Sequence, residues 1–260
     1  MATRKLTALD IGSTKICCFI AEVSEAGRIR VTGMSHQQSA GLKGGMVVDM
    51  ESAYRAILSA VHSAEQMAGT TIEDVVLSIN GARPQSTTLT REMQIGGGAI
   101  RDPDISKLLQ EARESVTLQD RMLLHAIPIG YSVDDGPLLK EPRSMHAQTV
   151  GVKMHVVTAN ESAVQNLVNC VARCHLTVSD FALAPYAAGL SALVEDEKDL
   201  GATVIDMGGG TTSFSVFYEG AAVYGDCIPV GGQHVTSDIA RGLSTTLQQA
   251  ERLKTLYGSC

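Results

Sequence analysis

Small and β-branched residues dominate Thr7 to Val23, and the run is broken once, at Gly12. This pattern predicts two strands joined by a glycine turn. Glu25-Ala26-Gly27 marks a second turn, and Ile29-Arg30-Val31 starts a third strand. The period then changes. Ala53, Ile57, Val61, Ala64 and Met67 fall near one helical face over Glu51–Met67, and Gly69 ends that helix. Val75–Ile79 reads as a strand. A second helix is signalled by Asp102 as cap, Pro103 in the first turn, and a stripe of Ile105, Leu108, Leu109, Ala112 and Val116. Arg121–Val133 and Val150–Thr158 read as strands. Asn160 then caps a helix to about Cys174, with Val164, Leu167, Val168 and Val171 inward.

The chain carries a distant internal echo. Ala8-Leu-Asp10-Ile-Gly12-Ser-Thr14 leads into a strand and a turn at Gly27. Val204-Ile-Asp206-Met-Gly208-Gly-Gly210-Thr-Thr212 leads into Ser213–Glu219 and a turn at Gly220. In the second copy Phe214, Val216 and Tyr218 alternate with Ser213, Ser215 and Phe217, which is strand period. Two copies of strand, glycine turn and strand imply two related subdomains facing each other.

Composition narrows the function. The 260 residues allow one large domain or two ordinary ones. With 21 basic and 28 acidic residues the net charge is −7, and there is no Trp. Such a chain lacks the basic face and stacking platforms of a nucleic-acid binder. Asp10 cuts short the apolar stretch after Arg4 and Lys5, so the N-terminus does not read as a secretory signal and a cytoplasmic chain is expected. No run of apolar residues is long enough to span a bilayer. The cysteines Cys17, Cys18, Cys170, Cys174, Cys227 and Cys260 are too sparse for a disulfide scaffold. Cys170, Cys174 and His175 have no second ligand pair, and read as buried helix residues rather than a zinc site.

Both glycine turns lead into strands, which does not fit a dinucleotide-binding fingerprint, and no Walker P-loop occurs. What fits is a hairpin tip whose amides face an anion. Gly12, Gly208, Gly209 and Gly210 allow close backbone approach to phosphate, and Ser13, Thr14, Thr211 and Thr212 add hydroxyls. Asp10 and Asp206 stand beside those glycines. A carboxylate beside a phosphate needs a cation between them, so each is a candidate anchor for hydrated Mg²⁺.

At these turns the sequence resembles the actin/Hsp70/sugar-kinase ATPase superfamily, with Leu9-Asp-Ile-Gly-Ser-Thr14 as first phosphate motif and Val204–Thr212 as second. Within it the chain resembles the FtsA family of bacterial cell-division proteins. Gly41-Leu-Lys-Gly-Gly-Met-Val-Val-Asp49, Val76-Leu-Ser-Ile-Asn-Gly81, His125-Ala-Ile-Pro128, Val194-Glu-Asp-Glu197 and Thr236-Ser-Asp-Ile-Ala240 all look like that family's segments, in its order. The resemblance covers essentially the whole chain.

The resemblance implies an α/β, actin-like (ribonuclease H-like) ATPase fold with an inserted small α+β subdomain. Residues 1–83 and 160–200 would form subdomain IA, 84–159 the inserted IC, 201–240 the start of IIA and 241–260 the start of IIB. It implies ATP with Mg²⁺ as cofactor, and Glu251 and Lys254 as adenosine contacts. It also implies self-association, a link between FtsZ filaments and the inner face of the cell membrane at the septum, and recruitment of other division proteins through IC. Lys15 does not match the register of actin's phosphate lysine; Cys17 occupies that place. Ala184 stands before Pro185 where relatives commonly carry a water-positioning Glu, so ATP binding with slow turnover is expected. The alternatives are a pilus-assembly PilM-like protein and a small-molecule kinase of the same superfamily. Set against the family's length, the chain is expected to be truncated at its C-terminus, short of most of IIB, the returning part of IIA and a membrane-binding amphipathic helix. Weak or absent ATP binding by this chain alone is the consequence.

Overall fold

The computed structural model describes residues 4–259; Met1, Ala2, Thr3 and Cys260 lie outside the described residues. In chain order the elements are β1 (Arg4–Ile11), β2 (Lys15–Val23), β3 (Ile29–Gln38), β4 (Leu42–Lys43), β5 (Met46–Val47), α1 (Met50–Ala68) and β6 (Asp74–Ile79). Next come β7 (Gln85–Gln94), α2 (Asp102–Glu114), β8 (Arg121–Val133), β9 (Thr149–Asn160), α3 (Glu161–Ala172), β10 (Thr177–Leu183), α4 (Ala184–Ala192) and α5 (Glu195–Leu200). The chain continues through β11 (Ala202–Met207), β12 (Thr212–Tyr218), β13 (Ala221–Ile228), α6 (Gly232–Gly242) and α7 (Leu247–Tyr257).

The first sheet has the order β10-β6-β1-β2-β3. β1, β2 and β3 form an antiparallel meander, and β6 and β10 add parallel strands beyond β1. One face buries Leu9, Ile11, Ile16, Cys18 and Ile20 against Ala53, Ile57, Ala60, Val61 and Ala64 of α1. Asp49 caps α1 by accepting from the amides of Glu51 and Ser52, and Gly69 ends it with φ 66°. Met67, expected on the inward face, is 62% exposed, because Ala64 and Ala68 are the residues of that turn that meet the sheet, at Gly33 of β3.

A second antiparallel sheet, β11-β12-β13, repeats the β1-β2-β3 meander. On β12 it is Ser213, Ser215 and Phe217 that are buried, while Phe214 and Val216 are half-buried and Tyr218 is exposed.

The segment between β6 and α3 forms a third sheet, β7-β9-β8, with α2 against it. Ile100, Ile105, Leu108, Ala112, Val150, Val152, Met154 and Val156 form its own core. Val157 and Ala159 at the far end of β9 join the main core instead, so β9 ties the two together. Asp102 does not cap α2 as expected. It is the first helical residue, Arg101 is the cap, and the Asp104 carboxylate accepts from the Arg101 amide at 2.9 Å. Val116 lies beyond the helix end but still packs on this core.

The inserted sheet is fastened at both crossings. Arg121 donates to Thr158 Oγ1 at 2.7 Å, to Thr158 O at 2.9 Å and to Arg83 O at 2.8 Å. Ser86 Oγ donates to Gly225 O at 2.7 Å and accepts from Gly225 N at 2.8 Å, which joins β7 to β13. His155 Nε2 lies 2.9 Å from the same hydroxyl. With the hydroxyl proton directed at Gly225 O, His155 is the donor to Ser86.

Candidate functional site

The two glycine turns have the same internal closure. Gly12 N donates to Lys15 O at 2.9 Å, and Gly208 N donates to Thr211 O at 2.8 Å. The amides of Ser13, Thr14, Gly209 and Gly210 donate to no acceptor among the described residues. The carbonyls of Gly208 and Gly209 point the other way, into the start of α6. They accept from Gly232 N at 3.0 Å and Gln233 N at 2.8 Å. Carbonyls committed on one side leave amides free on the other, the geometry of an anion nest.

The turns meet each other. A Cβ on Gly209 would stand 2.1 Å from Thr14 Cγ2, and one on Gly210 would stand 2.6 Å from Ser13 Oγ. Only residues without a side chain allow this approach. Asp10 sits at the end of β1 and accepts from Asn80 Nδ2 at 2.5 Å. Asp206 sits at the matching place on β11. Burial, then the nearby charge of Asp10, pushes its carboxyl pKa up, and Lys15 opposes that rise. No cluster of three or more His, Cys, Asp or Glu that could hold a metal occurs among the described residues. Two carboxylates beside turn amides are a donor set that a hydrated cation such as Mg²⁺ can use together with phosphate oxygens.

A cleft of about 1090 Å³ opens on these turns. Thr14, Lys43, Gly208, Gly209, Gly210 and Gly232 line it, and Thr236, Glu251 and Lys254 close its α6–α7 side. Thr236 Oγ1 donates to Glu251 Oε2 at 2.5 Å, and Lys254 Nζ reaches Glu251 Oε2 at 2.8 Å and Gly232 O at 3.2 Å. Those bonds hold the Glu251 carboxyl below its ordinary pKa. The remaining expected residues are placed differently. Thr211 is buried, Thr212 Oγ1 donates to Val230 O at 2.7 Å, and Ser13 Oγ accepts from Gly45 N at 3.0 Å.

Asn80 and Lys43 belong to the site by position, although their motifs carry no chemical signal of their own. Asn80 reaches Asp10 because β6 lies parallel beside β1. Ala184 is buried at the start of α4. Cys170 and Cys174 are buried. Cys170 Sγ lies 3.7 Å from Met50 Sδ, and burial raises both thiols, that of Cys174 to about 11. That is the state of inert core thiols. A smaller groove of about 560 Å³ behind α1, lined by Leu58, His62, Ile72 and Leu176, lies away from the turns.

Comparison with known proteins bears on both parts of the chain. The family model described as cell division protein FtsA matches residues 203–260, and the model of the SHS2 domain inserted in FtsA matches residues 81–158. The cell division protein FtsA of Agrobacterium fabrum is 41% identical over 98% of this chain. The chain belongs to the FtsA family. The chain spans about 60% of the length of that relative. Among solved structures, the PilM-PilN type IV pilus biogenesis complex matches with a TM-score of 0.68 at 19% identity, covering 97% of this chain and 70% of that one. MreB5 of Spiroplasma citri, solved bound to ADP, matches with a TM-score of 0.51 at 15% identity, covering 98% of this chain and 64% of that one. The fold is the actin-like ATPase fold with an inserted SHS2 domain, as the FtsA-family resemblance implies. No described helix is long and apolar enough to cross a membrane.

Proposed function

We propose that this FtsA-family chain carries the nucleotide-binding cleft of an actin-like division scaffold. The observation that carries the reading is the pair of apposed turns with free amides at Ser13, Thr14, Gly209 and Gly210, flanked by Asp10 and Asp206. ATP would place its phosphates between Gly12-Ser13-Thr14 and Gly208-Gly209-Gly210. Bound Mg²⁺ would neutralise phosphate charge, with Asp10 and Asp206 holding its waters. Asn80 fixes the Asp10 carboxylate, and Thr14 offers a hydroxyl to the cleft. Glu251 and Lys254, already ordered by Thr236, would meet the adenosine. Ala184 gives no group to orient a water, so turnover is slow and the nucleotide acts by holding the two halves together.

In this reading residues 1–83 and 160–200 act as one lobe, 84–159 as the inserted recruiting unit, and 201–240 with 241–260 as parts of the other lobe. The whole protein would self-associate, link FtsZ filaments to the inner face of the cell membrane at the septum, and bind other division proteins through the insert. The membrane contact would be peripheral. The test is a MgATP titration of this chain, up to millimolar nucleotide, followed by ligand-observed NMR. Weak but saturable binding that Asp206→Ala abolishes is expected, since the cleft carries both turns even where its far wall is short. Absence of binding in the parent chain, or an ATPase rate of several per second, would overturn the reading.

A further inference from the structure

The β4–β5 hairpin bridges the two turns. Its Gly44-Gly45 tip has φ of 56° and 73°, the left-handed pair of a two-residue type I′ turn. On one side Gly45 N donates to Ser13 Oγ at 3.0 Å, and a Cβ on Gly45 would stand 2.7 Å from Gly81 Cα. On the other side a Cβ on Gly210 would stand 3.2 Å from Gly44 N, and one on Gly44 would stand 3.8 Å from Pro229 Cβ. The tip is thus pinned between the first sheet's turn and the second's. Lys43 precedes it and, with its register partner Met46, lines the cleft.

The charges of the cleft single Lys43 out. Lys254 is already held by Glu251, Thr236 and Gly232. Lys15 is not among the residues that line the cleft. Lys43 makes no ion pair or side-chain hydrogen bond among the described residues, and it is exposed. Glu251 and Lys254 on α7 and Lys43 on the hairpin line the same cleft, so a nucleotide with its adenosine against α7 can extend its phosphates toward the hairpin. A free ammonium on a pinned hairpin can meet the terminal phosphate without reorganising the site.

We propose, resting on the nucleotide reading above, that Lys43 contacts the terminal phosphate of a bound nucleoside triphosphate and makes the cleft prefer triphosphate over diphosphate. The hairpin is then the element through which the cleft senses whether that phosphate is present. Dissociation constants for MgATP and MgADP, measured on this chain by ligand-observed NMR, test it in Lys43→Ala, Lys43→Arg and Lys15→Ala. Lys43→Ala should weaken MgATP by about tenfold or more and MgADP by less than about twofold, as loss of a charge-assisted bond predicts. Lys43→Arg should keep most of the preference, and Lys15→Ala should not remove it. Equal effects of Lys43→Ala on both nucleotides, or none, would overturn the role of Lys43 and leave the cleft assignment standing. A parent chain that binds neither nucleotide would overturn the cleft assignment and this inference with it.

Discussion

Replacing Gly209 with alanine puts a methyl group into the contact between the two turns. An ideal Cβ there stands 2.1 Å from Thr14 Cγ2, 3.0 Å from Thr14 Oγ1 and 3.1 Å from Thr14 Cβ. Ordinary contact begins near 3.4 Å, so the closest pair must separate by 3.4 − 2.1 = 1.3 Å. Rotation of Thr14 moves Cγ2 and Oγ1, but Cβ at 3.1 Å moves only with the backbone. The turns must therefore part by at least 3.4 − 3.1 = 0.3 Å. Overpacking of this kind costs about 1–3 kcal/mol. If the cost falls on closure around the nucleotide, MgATP binding weakens by about 5- to 150-fold. Thr14→Ser deletes Cγ2, so Gly209→Ala with Thr14→Ser should bind more tightly than Gly209→Ala alone. That non-additivity marks two residues in contact. The assay is MgATP titration by ligand-observed NMR together with urea unfolding of the four chains. Gly209→Ala binding within about twofold of the parent, with unchanged unfolding, would refute the turn-to-turn contact as the shape of the site.

Other outcomes concern how the inserted domain is fastened. Ser86→Ala leaves both backbone groups of Gly225 without their side-chain partner, so urea unfolding should show a loss of about 1–3 kcal/mol and the Gly225 amide should exchange faster. Burial, with His125 nearby, pushes the His155 pKa down from 6.5 to about 4. A depressed histidine is neutral in the folded chain and takes up its proton on unfolding. Its stabilisation is therefore full above pH 6.5 and lost as pH falls toward 4, by up to about 3 kcal/mol, and urea midpoints in His155→Gln should fall less over that range. Arg121→Lys replaces a fork that serves Thr158 Oγ1, Thr158 O and Arg83 O with a single ammonium, and should lower thermal stability by about 1–2 kcal/mol. An unchanged melting temperature would show that the fork is not needed there.

Elements whose periodicity is enforced by one buried face are legible in the sequence. α1 and α3 carry apolar stripes because each lies on the main core, and both have side-chain caps at Asp49 and Asn160. β7 escapes notice for the opposite reason. Gln85–Gln94 is an edge strand paired only with β9, mostly exposed or half-exposed, so Thr and charged residues satisfy it and no alternation is imposed. The start of α2 differs by one residue from the expected cap at Asp102 because Asp104, not Asp102, reaches back to the first free amide, and the two acids look alike in a string of letters.

The site divides along the same line. Glycines that must be glycine announce themselves, which is why the two turns can be found and matched from their residues alone. Their partners cannot be found that way. Lys43 and Asn80 take their roles from a hairpin tip wedged between sheets and from β6 lying beside β1, neither of which leaves a local pattern, and the bond from Gly45 N to the expected Ser13 hydroxyl is equally invisible in its motif. The same contacts explain why the hairpin needs two glycines in succession. Gly45 faces Gly81 and Gly44 faces the second turn, so a side chain at either place would push apart the surfaces that the nucleotide is proposed to join. The Gly41–Asp49 segment is therefore better understood as part of the proposed phosphate site than as a connection between β3 and α1. Glycine spacing locates the turns, and it is the closure across them that places Lys43, the lysine proposed to meet the phosphate, on the cleft.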